Sequence, residues 1–268
     1  MKRRFKSKLG AVALVLLVGF FGLQPQQTDQ LTQKLQQLLP FAQAPKITNQ
    51  QTQASDAVAL ANLNYQSGQP PVVQVNHNRA QLDPKSWQTN QVRYANLDKF
   101  NRTSQPNTAY LEARNVANDS LRARQTVEPT GWHQKFDGRT AIINRGHLVA
   151  YSLSKGISLS GTYDPNQQSG DQNNLKNFFT QTAFSNQRLQ TKYETQVRQA
   201  LRANKKVIYQ AQAIFRDNEL MPRGVHLQAI STDQTLDFNV YIFNVQPRFT
   251  FDYATGRSQT SAMRVPES

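Results

Sequence analysis

Cysteine is absent from this 268-residue chain. The protein therefore has no disulfide bonds, no structural zinc site built on thiolates and no thiol chemistry, and its stability must come from packing. Acidic residues are also scarce, with 17 Asp and Glu against 31 Lys and Arg, which gives a net charge of +14. A surplus of this size favours a polyanionic partner, although charge alone does not choose among nucleic acid, anionic cell-wall polymer and lipid headgroups.

The N-terminus combines positive charge with an apolar run. Five Lys and Arg residues lie within the first eight positions, and no charged residue occurs between Leu9 and Leu23. Subtracting these five cations from +14 leaves +9 on the remainder. The pattern predicts an export signal. The run is shorter than the roughly 20 residues of a spanning helix, and no small-x-small cleavage site follows it, so residues 1–23 are either a signal peptide or a membrane anchor. Both alternatives predict a cell-surface or extracellular protein.

Composition divides the rest of the chain into three parts. Residues 24–71 are rich in Gln, Thr, Asn and Ala and poor in aromatic residues, which predicts a Gln-rich flexible tether. Leucines at helical spacing between Leu31 and Leu39 indicate one short helix inside it. The folded domain is predicted to span residues 72–260, followed by a tail at residues 261–268. The chain has no internal repeats.

Periodicity within the predicted domain indicates an α+β fold. Val72–Val75 has the composition of a strand, and three segments rich in β-branched and aromatic residues follow near the C-terminus, at residues 207–215, 225–230 and 236–245. We expect these three to be successive strands of one mostly antiparallel sheet. Between residues 182 and 203 the spacing changes to that of an amphipathic helix, with Asn204 as its predicted end.

Histidine is the usual general base at neutral pH, and the chain has four. His147 follows Arg145 and Gly146 directly after the apolar segment Thr140–Ile143, so we expect it where a strand emerges. Gly146 would allow close approach of the backbone to a ligand, and Arg145 places a cation beside the base. The alternative interpretation of His147 is a packed, hydrogen-bonded residue.

A second group of polar residues lies 30 to 51 positions downstream of His147, on or just before the predicted helix. On an ideal helix, Glu194 and Arg198 are neighbours, whereas Asn186 lies about 80° and about 12 Å away from Glu194. We therefore expect Asn186 to bind a metal ion directly and Glu194 to reach it through water, an arrangement that suits Mg²⁺. The alternative for Glu194 and Arg198 is a surface ion pair.

Taken together, these motifs resemble the DNA/RNA non-specific endonucleases of the ββα-metal, or His-Me finger, superfamily, most closely the secreted and DNA-entry nucleases of Gram-positive bacteria. The resemblance runs from about Val72 to Gln259. It is carried by an ordered set of segments: Pro129–Gln134, Asn144–Ala150, Asn177–Ala183 with Asn186, Tyr193–Glu194, Phe238–Val240, Asn244–Pro247 and Asp252–Gly256.

The resemblance implies a role for each matching residue. His147 would activate the attacking water, Asn186 would be the protein ligand of one Mg²⁺, for which Mn²⁺ substitutes, and Glu194 would orient water on that ion. Arg198 would face the scissile phosphate, and Arg145 and Asn177 would contribute to substrate binding. The implied activity is hydrolysis of phosphodiester bonds in DNA, and in RNA as well.

The chain departs from the family pattern at Asn144, where many members have Asp. An amide cannot pair ionically with Arg145, and the loss of a negative charge bears on the protonation of His147. Asn144 therefore motivates an alternative function, a catalytically impaired surface receptor that binds DNA. A third hypothesis, a basic protein that binds anionic wall polymers, rests on charge and export alone.

Overall fold

A six-stranded antiparallel sheet forms the centre of the protein. The computed structural model describes residues 53–117, 125–170 and 173–267. In order of pairing, the strands are β1 (Val72–Gln74), β10 (Asp237–Phe243), β9 (Gly224–Ser231), β8 (Val207–Ile214), β3 (Asn107–Leu111) and β2 (Gln91–Arg93).

Within the described residues, three two-stranded antiparallel pairs, called hairpins below, and two α-helices accompany this sheet. Helix α1 spans Gln53–Ala61, and helix α2 spans Thr191–Arg202 directly after a π-helical turn at Ser185–Gln190. The hairpins pair β4 (Phe136–Asp137) with β5 (Thr140–Ala141), β6 (Ile143–His147) with β7 (Phe178–Thr182), and β11 (Phe249–Asp252) with β12 (Arg257–Thr260).

Both faces of the central sheet are covered, because consecutive side chains of a strand point to opposite sides. In β10, Val240 and Ile242 belong to the core that packs against α2. Tyr241 and Phe243 belong to a second core that includes Leu60 of α1. The sheet therefore separates two apolar layers, and α2 lies on the side that carries the groove described below.

Helix α2 confirms the predicted amphipathic helix. Val197, Ala200 and Leu201 are buried, and the ring of Tyr193 lies 5.2 Å from that of Phe238. The helix ends before Asn204, whose φ of 59° is the left-handed conformation common after a helix C-terminus.

The α+β class and the mostly antiparallel sheet are confirmed, with β8, β9 and β10 as neighbours as predicted. Six of the strands were not predicted from the sequence, namely β2, β3, β4, β7, β11 and β12. In β7 all five residues are buried, including Thr180, Gln181 and Thr182. A strand that buries polar side chains lacks the alternation by which half-buried strands are identified.

The folded unit begins earlier than the predicted boundary at residue 72. Leu60 of α1 is 1% exposed, and the guanidinium Nε of Arg216 donates to the carbonyl of Ala61 at 2.8 Å. The predicted tail also takes part in the fold, since the amide of Gly68 donates to the carbonyl of Arg264 at 2.8 Å. Residues 53–71 and 261–264 are thus neither tether nor free tail.

The predicted export segment, residues 1–23, lies outside the described residues. So does most of the predicted tether, including the helix expected between Leu31 and Leu39. Among the helices of the described ranges, none combines the length and apolar character needed to cross a bilayer.

Candidate active site

An open groove of about 600 Å³ lies between the β6 end of the β6–β7 hairpin and the helical segment 185–198. Its walls are polar, and they include six of the seven residues that the sequence singled out as a site. These are Asn144, Arg145, His147, Asn186, Glu194 and Arg198.

His147 is the last residue of β6 and pairs with Phe178 at the start of β7. The two rings lie 4.6 Å apart at an angle of 55°, which restricts rotation of the imidazole. The side-chain nitrogen of Gln125 contacts His147 Nε2 at 2.7 Å. Gln125 therefore holds the imidazole by a polar contact, in addition to the ring of Phe178.

The sequence suggested that Gly146 allows close approach of a ligand. In the structure, the absence of a side chain at Gly146 is instead required by packing within the protein. A Cβ atom at this position would lie 2.5 Å from Oε1 of Gln181 and 3.0 Å from the Phe179 ring. Gly146 and Phe179 are paired across the β6–β7 hairpin. The glycine thus lets the side chain of Gln181 pass across β6 immediately before His147.

Arg145 projects from β6 on the same side as His147, since alternate residues of a strand share a face. Its guanidinium carbon lies 4.6 Å above the Trp132 ring, and its Nε donates to the carbonyl of Val127. The cation is therefore held on the groove wall by a stacking contact and a main-chain acceptor. Asn144, the departure from the family pattern, is half-buried in the same strand and also lines the groove.

The π-helical turn determines which side chains of the second wall face the groove. On an α-helix four residues overshoot a full turn by about 40°, whereas the longer π turn makes four residues fall short of one. The two deviations oppose each other from Asn186 through Gln190 to Glu194, and all three side chains line the groove. The separation of 80° expected from an ideal helix is therefore too large.

Gln190 connects three elements of the site and is only 2% exposed. Its nitrogen Nε2 donates to the carbonyl of His147 at 2.9 Å and to Oε1 of Glu194 at 2.8 Å. Its oxygen Oε1 accepts from Nε2 of Gln181 at 2.9 Å. One buried amide thus links the end of β6, strand β7 and helix α2.

Glu194 and Arg198 lie one helical turn apart on α2 and are mostly shielded from solvent. Their side chains are 12% and 16% exposed, and the closest nitrogen and oxygen are 3.9 Å apart. Burial raises the pKa of the Glu194 carboxyl, while the hydrogen bond from Gln190 and the charge of Arg198 act in the opposite direction. Arg198 Nη1 also donates to Ser152 Oγ at 2.7 Å. The pair is therefore not the solvated surface ion pair considered from the sequence.

Asn177 does not reach the groove, which corrects its predicted role in substrate binding. Its side chain is 0% exposed. Its Oδ1 accepts from the amide of Val149 at 2.8 Å, and its Nδ2 donates to the carbonyl of Val149 at 2.9 Å. The residue extends the pairing of the β6–β7 hairpin beyond His147, so its contribution to the site is structural.

The other three histidines lie away from the groove, as expected. His226 is buried in β9, and its Nε2 contacts Oδ1 of Asn239 at 2.6 Å. His77 is exposed, and His133 is half-buried. None of them is among the described residues that line the groove.

Sequence reasoning missed several groove residues, among them Gln125, Trp132, Ser152 and Gln190. Gln190 alone carried a usable signal, because it lies four residues after Asn186 and four before Glu194. Gln125 and Ser152 occur in segments without periodicity, and only the folding of the chain brings them to His147 and Arg198.

The oxygen donors of the groove suit a hard divalent cation. Within the described ranges no three His, Cys, Asp or Glu residues cluster as a metal cage would require. Asn186 and Glu194 supply amide and carboxylate oxygens on one wall of an open groove. Mg²⁺ prefers oxygen ligands and retains several waters, so a site with few protein ligands fits this ion.

Comparisons with known proteins agree with this geometry. A model of the family described as DNA/RNA non-specific endonuclease matches residues 46–262. The structure is similar to that of NucA from Streptococcus agalactiae with magnesium bound, at a TM-score of 0.63 and 30% identity, covering 78% of this chain and 98% of that one. The structure is also similar to the metal-free form of the same protein, at a TM-score of 0.61 and 29% identity, covering 82% of this chain and 100% of that one. The Sda1 nuclease with bound zinc has a similar fold, at a TM-score of 0.52 and 19% identity, covering 71% of this chain and 97% of that one.

Proposed function

The chain belongs to the DNA/RNA non-specific endonuclease family, and from this premise we propose that it is a divalent-metal-dependent endonuclease that hydrolyses phosphodiester bonds of DNA and of RNA. The observation that carries the proposal is a single groove in which His147 and Arg145 of β6 face Asn186, Glu194 and Arg198 of the helical segment. A nucleophile-activating base, cations and hard oxygen donors are the groups that phosphodiester hydrolysis requires.

His147 is the general base in this proposal. Its imidazole accepts a proton from the water that attacks phosphorus, and Phe178 and the Gln125 side chain restrict the orientation of the ring. Arg198 donates to the phosphate oxygens on which charge develops, and Arg145 binds the phosphate backbone from the β6 wall. The Ser152 contact keeps the Arg198 guanidinium at the groove.

Asn186 would hold the metal ion through its side-chain oxygen, with Glu194 completing the oxygen environment. When bound, the ion supplies positive charge that neutralises the phosphate and stabilises the leaving oxygen. We propose Mg²⁺, with Mn²⁺ as a substitute, because the donors are oxygens and no dense carboxylate cluster occurs in the described part of the chain. Gln190 keeps the Glu194 carboxylate in place by its hydrogen bond.

We further propose that cleavage has little sequence preference and occurs outside the cytoplasm. A net charge of +9 outside the N-terminal segment supports binding that is dominated by phosphate contacts, and such binding weakens steeply with salt. The basic N-terminus followed by the apolar run to Leu23 supports export, with the segment either cleaved or retained as an anchor.

Plasmid digestion by the purified full chain tests the proposal. We expect nicking and degradation with Mg²⁺, loss of activity with a chelator and recovery with excess Mg²⁺. His147→Ala should lower activity by about a thousandfold without loss of folding, since general-base catalysis contributes about 10²- to 10⁴-fold. Activity that survives His147→Ala would exclude this residue as the base.

The alternative of a DNA-binding receptor without turnover is motivated by Asn144. It predicts tight, salt-sensitive DNA binding with no product under any divalent metal. Asn144→Asp restores the residue that many family members have at this position. Cleavage that appears only in this variant would favour the alternative, whereas cleavage by the natural chain excludes it.

A further inference from the structure

Phe136 is one of four large apolar side chains exposed in the described part of the chain, and it is 56% exposed. It lies on the β4–β5 hairpin, whose tip is turned by Gly138 with a φ of 59°. An exposed aromatic ring beside a nucleic-acid groove provides a surface on which a base stacks.

The strand register places Phe136 on the same face of this hairpin as a groove residue. Phe136 is directly opposite Ala141 in the β4–β5 register, so the two side chains share a face, and Ala141 lines the groove. Trp132 and Gln134, four and two residues earlier in the chain, also line the groove. The aromatic ring thus lies on the face of the hairpin that includes Ala141, next to the groove.

The hairpin is anchored to the body of the protein. The amide of Ile142 donates to the carbonyl of Lys135 at 2.9 Å, and Gln134 Nε2 donates to the carbonyl of Ile143 at 3.0 Å. Asp137 forms an ion pair with Arg248. The Phe136 ring is therefore presented on a braced element rather than on a free loop.

The surroundings of Phe136 match a nucleic-acid strand better than an apolar protein partner. Exposed Lys135 precedes it and exposed Arg139 follows the turn, so cations flank Phe136 in sequence on an exposed hairpin beside a polar groove. A phosphate backbone requires such cations, and a nucleobase supplies an aromatic face. A single exposed ring is also too small to form a stable protein interface by itself.

We propose that Phe136 is a nucleobase-binding residue of the proposed nuclease, stacking on a base next to the phosphate that occupies the groove. This inference rests on the proposed function. Every base has an aromatic face, so stacking adds affinity without sequence preference. It would hold the strand in register with His147 through the base, whereas Arg145 and Arg198 act on the phosphates.

Binding of labelled single-stranded DNA to the full chain with His147→Ala tests the proposal without cleavage. Phe136→Ala should weaken binding about tenfold, Phe136→Leu should weaken it nearly as much, and Phe136→Trp should preserve it. Leu159→Ala removes an equally exposed apolar side chain, 63% exposed and not lining the groove, and should leave affinity unchanged.

An abasic oligonucleotide of the same length separates stacking from other contacts. With the bases removed, the Phe136→Ala substitution should no longer change affinity, whereas Lys135→Ala should still weaken binding and reduce the salt slope by about one. Equal affinity of the chains with and without Phe136→Ala for normal DNA would overturn the proposal. So would full binding by Phe136→Leu.

The outcome is distinguishable from failure of the proposed function. If the natural chain does not cleave DNA, but DNA affinity is still kept by Phe136→Trp and reduced by Phe136→Leu and Phe136→Ala, the stacking inference stands and the nuclease proposal falls. If the chain cleaves DNA and residue 136 has no effect on binding, only the stacking inference is overturned.

Discussion

Gln190 donates one hydrogen bond to the carboxylate of Glu194 at 2.8 Å and another to the main-chain carbonyl of His147 at 2.9 Å. The amide is buried and is itself oriented by Gln181. The positions of the proposed base and of the carboxylate across the groove are therefore coupled through one side chain. Residues 190 and 194 are one α-helical turn apart, and the π-helical turn before them brings Asn186 into line with Gln190.

Replacing Gln190 with Met should remove the hydrogen bonds to the His147 carbonyl and to Glu194 while keeping a side chain of similar size. Methionine has a similar length but no hydrogen-bonding amide, so the Glu194 carboxylate loses a donor. We expect kcat to fall about tenfold or more, with KM for DNA within about twofold, because the lost interaction orients catalytic groups. Steady-state kinetics with plasmid or oligonucleotide DNA measures both parameters.

Gln199→Met on the exposed side of α2 is the matched control, and it should leave kcat unchanged. Thermal unfolding separates misfolding from mispositioning, since Gln190→Met is expected to remain folded at the assay temperature. Unchanged kcat in Gln190→Met would show that the amide does not position the site.

The sequence predicted the parts of this site that obey a period or match a family motif. Glu194 and Arg198 follow from helical spacing, and His147 from its place after an apolar strand. The alignment of Asn186 with Gln190 and Glu194 was not predicted because the ideal-helix estimate ignored the π turn, whose extra residue per turn depends on the packing of residues 185–190. Asn177 was misjudged because a family motif does not reveal whether an amide faces solvent or, as here, the main chain of Val149.

The elements of the fold also differ in whether the sequence predicted them. Strands β8, β9 and β10 carry alternating apolar residues and were predicted, as was α2. The packed helix α1 was assigned to a flexible tether because its segment is short and weakly apolar, and only contacts distant in sequence stabilise it. Leu60 is buried beside Tyr241 and Phe243, which lie more than 180 residues further along the chain.

Stability should decrease on mild acidification because of His226. Burial lowers the pKa of His226, while the contact with Asn239 and the charge of Asp56 act in the opposite direction. Below the ordinary pKa of about 6.5 the unfolded chain binds a proton that the folded chain resists, so the free energy of unfolding falls as pH decreases. Urea unfolding midpoints at pH 7.5 and 5.5 measure the effect.

His226→Gln should reduce this pH dependence, because glutamine remains neutral over the same interval. His77→Gln, at an exposed position, is the corresponding control for removing a histidine. An identical loss of stability between pH 7.5 and 5.5 in the natural chain and in His226→Gln would contradict the assignment.

Tyr241→Phe should stabilise the protein. The Tyr241 hydroxyl is buried without a hydrogen-bond partner, and burial raises its pKa well above the ordinary value. Removing a buried, unsatisfied hydroxyl avoids its desolvation cost, so we expect a gain of about 1 kcal/mol in unfolding free energy. Chemical denaturation measures the gain, and kcat should not change because residue 241 faces α1. A loss of stability would show that the hydroxyl has a favourable interaction.

Gly146→Ala should damage both stability and catalysis. The added Cβ would lie 2.5 Å from Oε1 and 2.7 Å from Cβ of Gln181, and a Cβ atom cannot rotate away from the clash. We expect a loss of about 1 to 3 kcal/mol in unfolding free energy from overpacking. The displaced Gln181 would also disturb its hydrogen bond to Gln190, so kcat should fall even where the chain stays folded.

Gly68→Ala provides the comparison, because it places a Cβ at a φ of 90° with only Arg264 within 4.0 Å, away from the groove. It should lose stability through backbone strain, about 1 kcal/mol or more, and retain kcat. Denaturation and kinetics on the two variants therefore separate strain from mispositioning. If Gly146→Ala retains full kcat, the close passage of Gln181 across β6 does not serve the site, and the coupling from Gln181 through Gln190 to Glu194 would have to be abandoned.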